Sequence, residues 1–97
     1  MPDYLLLMHG DAAVPESDAM WDAYFATLSA SGGFAGGSAI GGGVSLRKGG
    51  EAAPLSAEIN GYIRVTADSL EAAQALVIGN PVYECGGTVE VRELPAG

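Results

Sequence analysis

Glu58-Ile59-Asn60-Gly61-Tyr62-Ile63-Arg64-Val65-Thr66-Ala67-Asp68-Ser69-Leu70-Glu71-Ala72-Ala73 changes its periodicity partway along, and that change decides the fold. Up to Ala67 the apolar residues Ile59, Ile63 and Val65 fall at even spacing, with Tyr62, Arg64 and Thr66 between them. Side chains alternate across a strand, so this is a strand with one apolar and one mixed face. Asp68-Ser69-Leu70-Glu71 then supplies a helix cap with a capping-box-like glutamate. Leu70, Ala73, Leu76 and Val77 continue as a short amphipathic helix that Gly79 and Pro81 close. Val82 to Gly87 reads as a loop, and Thr88 to Leu94 as a half-exposed strand with Val89 and Val91 on one side.

On the N-terminal side, Tyr4-Leu5-Leu6-Leu7-Met8 is a continuous apolar run bounded by His9-Gly10-Asp11. Its length and boundary predict a central strand covered on both faces. Pro15-Glu16-Ser17-Asp18 opens a helix, with acids where the helix dipole favours them. Met20, Trp21, Tyr24, Phe25 and Leu28 form one stripe of it, and Gly32-Gly33 stops it. Nine glycines follow within residues 32–50, without a phosphate-loop pattern. They predict a bent or bulged strand with a flexible entry, the strand itself falling at Val44-Ser45-Leu46-Arg47. Lys48 to Ala57 is a joining loop. The element order is β-α-β-β-α-β. Right-handed crossovers make this a ferredoxin-like α+β domain, a four-stranded antiparallel sheet with two helices on one face. Tyr62, Arg64, Thr88, Glu90 and Leu94 then lie on the open face, a partly apolar surface suited to oligomer formation.

The 97 residues make one domain spanning 1–97, and 48% hydrophobic against 16% charged residues makes it a folded one. A formal charge of -8 opposes binding to nucleic acid and to anionic membrane surfaces. No basic residue precedes Arg47. The N-terminal apolar run is too short for a secretory signal or a membrane span, so a cytoplasmic protein with nothing to cleave is expected. One cysteine excludes an intrachain disulfide, and one histidine excludes a Cys/His zinc cluster; no metal and no cofactor are expected.

Three segments resemble the YCII-related family of small proteins, which includes the D-G-P-F subgroup. Tyr4 to Asp11 is similar to the family's opening strand and its [YH]-G-D turn. Asn60 to Ala73 resembles its G-Y-x-x-x-x-A-x-S-x-x-E-A passage. Asn80-Pro81-Val82-Tyr83-Glu84-Cys85-Gly86-Gly87-Thr88-Val89-Glu90-Val91-Arg92 resembles its N-P-x-x-x-x-G-G-x-V-E-V-R run, the most specific of the three. The resemblance implies a ferredoxin-like protomer and a homodimer whose two sheets face each other as a dimeric α+β barrel. The D-G-P-F tetrapeptide itself is absent; Ala53-Pro54-Leu55 stands near its place. The family's His-Asp pair places its histidine in the first helix, and Asp18 to Tyr24 contains none, so that role has no counterpart here.

The candidate chemistry is sparse. His9 and Asp11 form an H-x-D at a strand end, where imidazole and carboxylate serve as an acid-base pair or simply bond locally and cap the turn. Cys85 follows Glu84, a neighbour that opposes thiolate formation, and reads as packing. The Met20–Leu28 stripe reads as core or interface, Trp21 and Phe25 included. Tyr62 and Tyr83 are candidate ligand-binding phenols, Tyr62 equally an interface residue. Three functions fit: a dimer binding a small organic ligand in a cleft beside the sheet as an accessory or regulatory module; a cofactor-free acid-base enzyme of lyase or isomerase type using His9 and Asp11; and a structural partner-binding protein.

Overall fold

Strand β1 (Asp3–His9) lies in the middle of the sheet, and the remaining elements are arranged around it in a computed structural model that describes residues 2–55 and 58–96. Helix α1 (Asp18–Ser31) leads to β2 (Phe34–Ala39) and β3 (Ile59–Thr66); α2 (Leu70–Ala75) and α3 (Pro81–Glu84) precede β4 (Val89–Leu94). The four strands form one sheet in the order β2-β3-β1-β4, every neighbouring pair antiparallel. Leu6 pairs with Ile63 on one side and Val91 on the other, and Leu5 likewise with Arg64 and Arg92. Cross-strand partners share a face, so this register sorts the sheet into an apolar side and a mixed side.

The apolar side carries the core. Tyr4, Leu6, Met8, Ile63 and Val65 are buried against Tyr24 and Leu28 of α1, Ala73 of α2, and Val77 and Val82. Both helical connections therefore cover the same face. The opposite face carries Leu5, Leu7 and Tyr62 half-buried among Asp3, His9, Arg64, Thr66, Glu90 and Arg92. The Tyr4–Met8 run is thus central, as its composition predicts, but the chain itself covers only one of its faces.

Local chemistry accounts for the element ends. The Ser17 hydroxyl accepts from the Met20 amide, and Gly32 closes α1 in the left-handed region at φ 77°. Ser69 caps α2 by accepting from the Ala72 amide. Val82–Gly87, expected as a loop, opens with the single helical turn α3. Asn80 nucleates it by accepting from the Val82 and Tyr83 amides, with Pro81 at the first helical position.

The second strand lies at Phe34–Ala39 rather than at Val44–Arg47. Val44 and Leu46 are instead 79% and 90% exposed, and residues 40–55 contain no helix or strand. The physical reason is close packing on β3. A Cβ at Gly37 would stand 2.5 Å from the Tyr62 carbonyl oxygen, so only glycine allows this approach. The expected bulge is present, as a register shift between Phe34 and Gly37 with Gly36 at φ 111°. Ser56 and Ala57, the end of the expected Lys48–Ala57 loop, lie outside the described residues.

Candidate functional site

Helix α1 touches the sheet with only part of its apolar stripe. Tyr24 and Leu28 are buried, whereas Trp21 is half-buried and Phe25 is 37% exposed. The Tyr24 hydroxyl donates to the Leu76 carbonyl at 2.6 Å, which ties the helix to the end of α2. Burial pushes that phenol above its ordinary pKa, against a smaller lowering by the Asn80 side chain. The other end of the stripe meets β2 at Phe34 and leaves a gap over Gly37 and Gly61, which carry no side chain. An apolar cavity of about 370 Å³ opens in that gap. That volume lies in the range of small-molecule sites.

Three aromatic rings make one wall. Trp21 stacks on Phe25 with ring centroids 5.5 Å apart and planes 28° from parallel, and Phe25 packs against Phe34 at 5.7 Å. Met8, Ile63 and Val82 form the floor, and Ala39 borders the cavity from the edge strand. Among the described residues Glu16 is the only charged one in the lining. It precedes the α1 cap, is exposed, and makes no ion pair among the described residues. A second hollow of about 530 Å³ lies beside residues 40–44, lined also by Leu55, Glu58, Ile59 and Asn60; it has no aromatic wall.

Of the candidate ligand-binding phenols, Tyr62 borders the 370 Å³ cavity, from a strand position whose side chain alternates to the opposite sheet face. Tyr83 is half exposed on α3 and lines neither cavity. Cys85 is buried, its sulfur 3.6 Å from the Pro15 carbonyl and 4.0 Å from the Met20 sulfur.

His9 and Asp11 have separate hydrogen-bond partners. His9 Nε2 lies 3.0 Å from the Glu90 carboxylate, which also accepts from Arg92 at 3.0 Å. Asp11 accepts from the Thr88 amide at 2.8 Å and from its hydroxyl at 2.7 Å. The Thr88 donors hold the Asp11 carboxyl below its ordinary pKa, with His9 a minor contributor. Arg92 and then His9 do the same for Glu90. Neither His9 nor Asp11 lines a cavity described above. The carboxylate in contact with the imidazole is thus Glu90, a cross-strand neighbour that the H-x-D spacing does not reveal. No group of three or more metal-ligating side chains occurs among the described residues.

Phe34 and Glu16 were not among the candidates named from the residue pattern. Phe34 is hidden in the sequence because the glycine-rich stretch points to a strand ten residues later, at Val44–Arg47. Glu16 reads as an ordinary helix-start acid until the cavity beside it is seen. No helix of the described residues is long and apolar enough to cross a membrane. No family model matches the chain, and no curated protein matches it.

Proposed function

We propose that this chain is a small dimeric protein that binds a small organic ligand in the cavity between α1 and strands β2 and β3, as an accessory or regulatory module. One observation carries the reading: a preformed, aromatic-walled cavity of about 370 Å³ beside the sheet. Aromatic and aliphatic lining without a catalytic acid-base pair suits binding more than turnover. The alternative, lyase or isomerase chemistry through His9 and Asp11, draws support from the His9–Glu90 contact alone, and that contact lies outside the cavity lining.

The same reading takes the chain as a ferredoxin-like, YCII-related protomer. Its strand order β2-β3-β1-β4, with helical connections on one face, supports the first part. The three motif segments support the second. The uncovered face of β1 supports the dimer. Leu5 and Leu7 would be covered by a second copy, and a face carrying both signs of charge is compatible with a self-complementary two-fold interface. An unpaired Cys85 suits a reducing, cytoplasmic setting.

The test is a thermal-shift screen of small metabolites followed by turnover assays on the hits. Saturable binding without turnover, abolished in Ala39→Phe because the new ring fills the cavity, is the expected result. Binding that survives Ala39→Phe, or turnover lost in His9→Ala, would contradict it.

A further inference from the structure

The charge and ring arrangement of the cavity says which ligands it prefers. We infer that it selects a small aromatic cation: an aryl group held against Trp21, Phe25 and Phe34, with a protonated amine directed toward Glu16. The inference rests on the ligand-binding reading above and adds the chemical class.

Two independent features point the same way. The only charged residue of the lining is a carboxylate without an ion-pair partner among the described residues. An ammonium brought there gains an opposite charge, whereas an anion meets a like one. The wall itself also favours a cation. Aromatic faces carry negative electrostatic potential and attract ammonium groups, tryptophan most strongly. The stacked Trp21–Phe25 pair and the adjoining Phe34 offer that surface directly beside the aryl site. Among the described residues no Lys or Arg lines the cavity to hold a carboxylate or phosphate ligand. The excess of 12 acidic over 4 basic residues reinforces the preference at longer range.

Trp21 is the sole tryptophan, so its emission reports on the wall without labelling. Three probes of matched shape separate the contributions: 2-phenylethylamine, 2-phenylethanol and phenylacetate. The expected result is saturable quenching by the amine at a concentration about tenfold or more below that needed for phenylacetate, with the alcohol between them. In Glu16→Gln the amine and alcohol should come within about threefold of each other, while the alcohol still binds. Alcohol or phenylacetate binding as tightly as the amine would overturn the cation assignment and leave the binding reading standing. An unchanged amine preference in Glu16→Gln would overturn the role of Glu16. Absence of saturable quenching by all three would overturn the binding reading as well.

Discussion

Asn80 is fully buried, with 0% of its surface exposed, yet all its roles are satisfied. Its side-chain oxygen accepts from the Val82 and Tyr83 amides, and its side-chain nitrogen faces the Met8 sulfur at 3.5 Å. Asn80→Ala leaves the buried Val82 amide and the part-buried Tyr83 amide without an acceptor and should cost about 1–3 kcal/mol in denaturant unfolding, without moving Trp21 emission. The cap is open to a sequence reading, because Asn80 followed by Pro81 suits a helix start, whereas a reading of Pro81 as the end of the preceding helix makes Val82 to Gly87 a loop. The surface carboxylates make a second prediction at this scale. Arg64 and Thr66 hold Asp3 below its ordinary value of 3.8, Thr88 does so for Asp11, and Arg92 and His9 lower Glu90 from 4.5. A carboxylate with a depressed folded-state pKa binds fewer protons folded than unfolded. Its contribution is therefore complete above the unfolded value and is lost as pH falls through the folded one. Denaturant midpoints should be level between about pH 5 and 6 and fall progressively below about pH 4.5. Asp11→Asn should flatten that acid limb, and an unchanged limb would contradict the assignment.

The elements differ in how far the sequence revealed them. β1 was legible from its continuous apolar run, β3 and β4 from alternating apolar residues, and α1 and α2 from their caps and apolar stripes. β2 was not: Phe34-Ala35-Gly36-Gly37-Ser38-Ala39 has one large apolar side chain and pairs through close backbone approach, which periodicity does not record. Gly37→Val should therefore detach β2 and remove one wall of the cavity, seen as lost protection of the β2 amides in hydrogen exchange with β1 amides still protected. The α1 stripe was legible as a stripe, but its division was not. Tyr24 and Leu28 lie within the core; Trp21 packs against it half-buried, as a structural role requires, and with Phe25 it also lines the cavity. Leu28→Ala should cost about 2–5 kcal/mol, the range for a buried leucine. Phe25→Ala should fall well below the about 3–5 kcal/mol of a buried aromatic residue, because its ring already borders open space. A full-core loss at Phe25 would show that the cavity is filled by packing. The candidate site was legible only in part, since a cavity arises where side chains are missing, and His9–Glu90 joins residues 81 apart in sequence.

At the scale of the whole molecule, one sheet face meets the helices and the other remains open around Leu5 and Leu7. If a second copy covers it, light scattering coupled to gel filtration should give twice the chain mass at micromolar concentration. A standard interface of about 1,200–2,000 Å² would account for such a dimer. Leu5→Glu tests the face with little cost to the protomer, because its cross-strand neighbours are Arg64 and Arg92. It should yield a folded monomer, and a wild-type monomer would remove the dimer from the account. The open sheet face and the cavity lie on opposite sides of the sheet, so they can be separated in one spectrum. Titration of the labelled protein with 2-phenylethanol, followed by amide and indole NMR shifts, tests the ligand site most directly. Saturable shifts centred on the Trp21 indole and on Gly37, Ala39 and Gly61 are expected. Shifts centred instead on Leu5 and Leu7, or none that saturate, would contradict it.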